Sequence, residues 1–102
     1  MAYNAGWTVE WDAAKNQENQ RKHGVSLEEA SELFTSGTDY LEFYDEQHSA
    51  AEDRFIAIGP IRRGVVLVAW TERQEDVIRL ISARWATRRE RRAYDLRIGG
   101  RA

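Results

Sequence analysis

The chain has 102 residues, 42% of them hydrophobic and 31% charged, which is the size and balance of one globular domain with a modest core. It has no cysteine, which excludes a disulfide framework, thiolate zinc sites and a cysteine nucleophile. The formal net charge is −2, but residues 1–51 carry ten acids against three bases, whereas residues 52–102 carry twelve arginines against seven acids.

Trp7, Val9 and Trp11 alternate with Thr8 and Glu10, a period-two pattern that predicts a short strand. Asp12 stands where an N-cap belongs, and residues 13–22 read as a polar helix. His23-Gly24 ends it, glycine being suited to the left-handed position after a helix. Ser26-Leu27-Glu28-Glu29 is a capping box, with Val25 placed to staple onto Ala30. The helix it opens is expected to bury Leu27, Ala30, Leu33 and Phe34 and to stop before Gly37.

The middle of the chain predicts strands over residues 40–44, 54–59, 65–71 and 77–82. Pro60 and Arg63-Gly64 mark one turn, and residues 72–76 the next. Residues 65–71 form an almost unbroken apolar run, the mark of a central strand covered on both faces. Short connections predict an antiparallel meander. Thr87-Arg88-Arg89-Glu90 is a second capping box. The helix after it spaces Ala93, Tyr94, Leu96 and Ile98 at near-helical intervals, and Gly99-Gly100 should end it. The order β-α-α-β-β-β-β-α predicts an α+β fold, one domain over residues 1–102 with its helices packed on an antiparallel sheet. No apolar run approaches ~20 residues and the first residues lack a secretory pattern, so a cytoplasmic protein without a membrane span is expected.

Thirteen of the fifteen cations are arginine, whose planar fork matches phosphate oxygens in pairs. Arginine in excess in one half points to an anionic partner, although an arginine-rich genome would leave the same composition. Arg79 and Arg84 lie in or beside an apolar strand, where a charge needs a partner. Arg88 opens the last helix, whose N-terminus adds partial positive charge. Three arginines converging there would form a phosphate pocket. Arg89, Arg91 and Arg92 read more simply as a solvated helix face.

Two groups are candidates for proton transfer. His23 has an ordinary pKa near ~6.5, although a histidine at a helix end is commonly a cap. Glu72 lies in Thr71-Glu72-Arg73 at the end of a buried strand, as a base, as an orienting group for Arg73 and Arg84, or as part of an ion-paired turn. His48 lies in an acidic loop and is expected in solvent. No metal-ligand spacing, glycine-rich phosphate loop or Ser-His-Asp pattern stands out, which leaves a metal-free mechanism built on arginine with a histidine or glutamate.

The segments WDAAKNQENQRKHGVSLEEASELF, DRFIAIG, VLVAWTER and DVIRLISARWATRRERRAYD cover residues 11–34 and 53–95. In this order they resemble the BrnT family of toxins. The resemblance implies a RelE-like fold and an endoribonuclease that halts translation. It also implies neutralisation by a BrnA-type antitoxin, which carries the complex to operator DNA and can build higher-order toxin–antitoxin oligomers. The family's recurrent polar positions fall on Lys22, His23, Arg54, Thr71, Glu72, Arg73, Arg79, Ser82, Arg84, Thr87, Glu90 and Tyr94. Trp85 departs from the pattern where many relatives carry a basic residue, Trp70 stands for the usual tyrosine, and Leu27 for phenylalanine. Residues 1–6 and 99–102 lie outside the resemblance and are expected to be flexible tails.

The resemblance and the residues together nominate His23, Glu72, Arg79 and Arg84 as catalytic, and Lys22, Arg54, Arg73, Arg88 and Tyr94 as RNA-binding. No metal or cofactor is expected. The expected chemistry is attack of the RNA 2′-OH on the neighbouring phosphorus, leaving a 2′,3′-cyclic phosphate and a 5′-OH. Two alternatives use the same arginine-rich face without chemistry: a nucleic-acid-binding module, and a protein-interaction module.

Overall fold

The computed structural model describes residues 7–99, so the expected tail at 1–6, and all but residue 99 of the one at 99–102, lie outside the described residues. The predicted first strand forms as β1 (Thr8–Glu10). Asp12 then caps α1 (Ala13–His23) by accepting the Lys15 N–H at 3.0 Å, and Gly24 ends it at φ 76°. Of the residues in α1 only Asn19 is buried.

The second predicted helix forms in two pieces, α2 (Leu27–Ala30) and α3 (Glu32–Thr35). The break falls at Ser31, whose hydroxyl donates to the Glu28 carbonyl at 2.6 Å, a local bond that competes with the helical ladder. Leu27, Ala30, Leu33 and Phe34 are buried as the pattern required. The predicted capping box is half formed. Ser26 accepts the Glu29 N–H at 2.9 Å, but the Glu29 carboxylate is turned outward onto Arg63.

The four later strands are β2 (Leu41–Tyr44), β3 (Phe55–Ile61), β4 (Gly64–Glu72) and β5 (Val77–Trp85). A short 3₁₀ turn (Glu46–His48) lies between β2 and β3. Strand β3 runs through Pro60, which stands opposite Val65. Pairing with β2 ends at Leu41 and Ile58, so β3 is an edge at Pro60, where proline is tolerated.

The sheet order is β1-β5-β4-β3-β2, with the long apolar strand β4 at its centre. Strands β2 to β5 form the predicted antiparallel meander, but β1 joins the outer side of β5 in parallel. The antiparallel expectation rested on short connections, and β1 meets its partner only after the whole meander has been laid down. β1 covers only residues 77–79 of β5. Beyond them Asn19 takes over the edge. Its side-chain oxygen accepts the Ala83 N–H at 3.1 Å, and its amide donates to the Ala83 and Val25 carbonyls at 2.7 and 2.8 Å. A polar helix thereby covers an edge that would otherwise invite another chain.

One face of the sheet packs on α2 and α3. Val66, Val68, Trp70, Ile78, Leu80 and Ala83 meet Val25, Leu27, Ala30, Leu33 and Phe34 there. The other face is crossed by α4 (Arg88–Tyr94), which opens with a complete capping box. Thr87 accepts the Glu90 N–H at 3.1 Å, and Glu90 accepts the Thr87 N–H at 2.9 Å. After Tyr94 the chain widens into a π-helical turn (Asp95–Gly99). The predicted apolar stripe breaks at this change of winding: Tyr94 is buried, whereas Leu96 is 78% and Ile98 37% exposed. Among the described residues, no helix is long and apolar enough to cross a membrane.

Candidate active site on the open face of the sheet

Arg79 and Arg84 are five residues apart, and a regular strand would point them to opposite faces. A β-bulge reverses that outcome. Ala69 pairs with Ser82 but Trp70 pairs with Leu80, so Ile81 has no partner and the alternation shifts by one. Both arginines consequently lie on the face away from the core. Arg84 stands opposite Leu67, and Arg79 opposite Thr71.

A cross-strand row of polar groups runs through Arg79. Thr71 opposes Arg79, Arg79 opposes Glu10 on β1, and Arg79 Nη1 bonds Glu10 Oε2 at 2.8 Å. Thr71 is 2% exposed and donates to the Asp53 carbonyl. Arg54 precedes Phe55, the partner of Trp70, and so extends the row beside Thr71. Its Nε is buried without a hydrogen-bond partner.

Two clefts open at this end of the sheet. Glu10, Arg73, Gln74, Val77 and Arg79 line one of about 390 Å³. Arg73 also borders a neighbour of about 340 Å³, together with Glu52, Asp53, Phe55, Thr71, Glu72, Gln74 and Glu75. Of the residues nominated from the sequence, Arg73 and Arg79 thus share one cleft, whereas Glu72, opposite Ile78 in register, lines only the neighbour, and Arg54 lies beside Thr71. A larger cleft, of about 680 Å³, lies elsewhere, between α2–α3 and the β3–β4 turn. None of the nominated residues lines it, and Arg62 and Arg63 on its wall are already paired with Glu32 and Glu29.

Arg84 is engaged within the chain. Its guanidinium forks onto the Glu90 carboxylate with two bonds of 2.9 Å and reaches the Trp85 carbonyl at 3.2 Å. The paired bonds from Arg84 hold the Glu90 carboxyl below the usual carboxylate range against a smaller opposing effect of burial, with Thr87 adding to the lowering. The same contact raises the Arg84 pKa. Arg84 therefore ties the first turn of α4 to β5.

The remaining nominated residues lie apart. Lys22 and His23 are exposed at the end of α1. Gly24 beside them lies against Trp85, and Arg63 donates to the Gly24 carbonyl at 3.0 Å while covering the Trp85 ring. That is the far end of β5 from Arg79, six residues or roughly 20 Å along the strand. Arg88 stands on the outer side of α4 with Arg91, Arg92 and Asp95. Tyr94 is 9% exposed, its hydroxyl 3.4 Å from the Asp39 carbonyl, and it packs between α4 and the start of β2. The single pocket expected to unite Arg79 and Arg84 with an imidazole or carboxylate does not form. Each arginine instead rests on its own glutamate. Among the described residues, no three His, Cys, Asp or Glu side chains gather where they could hold a metal ion.

Sequence reasoning missed three groups that matter here. In the sequence Glu10 is only the polar half of a strand, yet it is the partner of Arg79. Arg63 has the pattern of a turn residue, yet it joins Gly24, Glu29 and Trp85. Asn19 had one usable signal: a helix with no apolar stripe needs a polar anchor to stay docked.

The family model for the ribonuclease toxin BrnT of type II toxin–antitoxin systems matches residues 11–90. The chain belongs to the BrnT family. No curated protein matches it. Among solved structures it is similar to the Brucella abortus ribonuclease toxin BrnT, whose crystal structure was determined at 1.1 Å resolution. That likeness has a TM-score of 0.60 at 24% identity and covers 80% of this chain and 99% of the Brucella chain. At this identity it bears on the fold. The BrnT match includes every nominated site residue except Tyr94, and it begins one residue after Glu10. The Arg79–Glu10 pair thus joins a residue inside the BrnT match to one outside it.

Proposed function

We propose that this BrnT-family chain is a metal-independent endoribonuclease with a RelE-like arrangement, acting in the cytoplasm to halt translation and held in check by a BrnA-type antitoxin. The observation that carries the reading is the cleft lined by both Arg73 and Arg79, which adjoins through Arg73 a second cleft lined by Glu72. Two guanidiniums at one cleft can hold a phosphodiester and stabilise the charge that builds on its oxygens as the 2′-OH attacks. Glu72, in the adjoining cleft, is the nominated proton-transfer group, an effect worth roughly 10²–10⁴-fold in rate. Arg79 reaches a phosphate once it releases Glu10, the carboxylate it bonds at 2.8 Å. The products are a 2′,3′-cyclic phosphate and a 5′-OH. Arg54 supports the row with a further positive charge.

Arg84 contributes to RNA binding in this reading only when a phosphate displaces the Glu90 carboxylate. His23, Lys22 and Arg88 contribute only where the RNA strand extends past the cleft. Tyr94 acts by packing. The antitoxin brings the complex to operator DNA and sets any larger assembly.

The test is incubation of the purified chain with a defined RNA, with and without EDTA, followed by end-group analysis. The expected result is cleavage that survives EDTA, leaves cyclic-phosphate ends, and falls at least ~10²-fold in Arg79→Ala and Glu72→Gln. Cleavage abolished by EDTA overturns the metal-free chemistry. Binding without new RNA ends points to the non-catalytic module instead.

A further inference from the structure

Five of the twelve arginines among the described residues are in ion pairs. Arg21, Arg62, Arg63, Arg79 and Arg84 each meet a glutamate. Among the described residues seven arginines have no ion-pair partner, and five of them (Arg88, Arg89, Arg91, Arg92 and Arg97) fall in α4 and the π-helical turn after it. On the outer side of α4, Arg88, Arg91 and Arg92 line a shallow cleft of about 330 Å³ with Asp95. Immediately beyond, Leu96 and Ile98 present aliphatic side chains to water.

The two features occur together, and each restricts the partner. Unpaired guanidiniums call for carboxylates or phosphates. Exposed aliphatic side chains in continuity with them call for apolar surface. A nucleic acid meets the first requirement and not the second, since bases stack on aromatic rings and guanidinium planes, not on leucine and isoleucine. A polypeptide with acids on one side and aliphatic residues on the other meets both.

We propose that the outer side of α4 and the adjoining turn form a docking surface for an acidic, amphipathic segment of a partner protein. The proposal rests on the toxin–antitoxin reading above, in which that partner is the antitoxin. The surface is separate from the Arg73–Arg79 cleft, which is lined by none of these residues. Partner binding here leaves the catalytic residues in place and controls the enzyme by covering the approach to the open face or by holding α4 against it.

The experiment uses the full chain and a BrnA-type antitoxin, the partner named in the proposed function. Affinity is measured by calorimetry, and hydrogen exchange is followed with and without the partner. The expected result is slowed exchange over residues 88–98 and at least tenfold weaker binding in both Leu96→Ser/Ile98→Ser and Arg91→Glu/Arg92→Glu. All four residues are exposed, so both double variants should keep the wild-type melting temperature and RNA cleavage. Unchanged partner affinity in both variants overturns the proposal while leaving the toxin–antitoxin reading intact. Failure of the wild-type chain to bind the antitoxin overturns both. Loss of RNA cleavage in the arginine variant with partner affinity unchanged assigns the surface to RNA and overturns the proposal. So does a dimer of the chain alone that Leu96→Ser/Ile98→Ser dissolves, because the occupant is then a second copy.

Discussion

The side of the sheet under α2 and α3 and the side crossed by α4 are built from the same strands, yet they are organised by different forces. On the first side an aromatic series runs from Tyr40 through Phe34, Trp70 and Phe55 to Tyr44, with ring centroids 4.9–5.7 Å apart. These groups are placed by volume and area, and dispersion and burial hold them without individual partners. On the second side Arg79 and Arg84 are each placed by a single carboxylate, Glu10 from the first strand for Arg79 and Glu90, six residues on, for Arg84. A face placed by packing tolerates no change of shape. A face placed by ion pairs can exchange one anion for another at modest cost, which is what the proposed phosphate-binding role requires.

That contrast can be broken experimentally, beginning with stability. Trp70→Ala removes the centre of the aromatic series and should cost about 3–5 kcal/mol of folding stability, read as a lower urea midpoint. A loss below about 1 kcal/mol would show that the core-side packing is not what it looks like. Asn19→Ala leaves the Ala83 N–H and two carbonyls without their partner and should cost about 1–3 kcal/mol. Exchange of the Ala83 amide should accelerate along with it, which a purely global loss would not single out.

Acid titration addresses the ion pairs. Glu90 and Glu29 have folded pKa values lowered by Arg84 and Arg63. Their contribution is therefore fully present above the ordinary value of 4.5 and is lost as pH falls through the lowered values. Glu90→Gln should flatten this part of the acid-unfolding curve, by less than about 1 kcal/mol because the pair is partly solvated. An unchanged acid slope would mean that the Arg84–Glu90 fork is not formed in solution. The smallest stability effect is expected from Arg79→Ala, within about 0.5 kcal/mol at neutral pH. Together with its expected loss of RNA cleavage, that result would sharpen the distinction between the two sides. A large loss of stability would erase it.

Much of the secondary structure was legible from local signals. The Asp12 and Thr87 caps, Gly24, the buried set Leu27, Ala30, Leu33 and Phe34, and the central strand β4 all follow from interactions within a few residues or from periodicity. The half-formed box at Ser26 shows where such signals fail: Arg63, far along the chain, outcompetes the local backbone N–H for Glu29. Leu96 shows a second failure, because near-helical spacing implies burial only while the winding stays α. Of the candidate site, residue types were legible and neighbours were not. Glu72 and Arg73 adjoin in sequence, but no spacing revealed that Arg79 would share a cleft with Arg73 and not with Glu72 while Arg84 turned to Glu90.

The sequence by itself determined the order of elements, most of their ends and the membership in a ribonuclease-toxin family, because capping, periodicity and motif order are properties of neighbouring residues. Only the tertiary structure decided that β1 lies parallel to β5 and that Asn19 seals the remaining edge. It also decided that one unpaired residue, Ile81, turns Arg79 and Arg84 to the same side. A strand's facing depends on its register with a partner, and that register is fixed by contacts between segments that sequence distance does not relate.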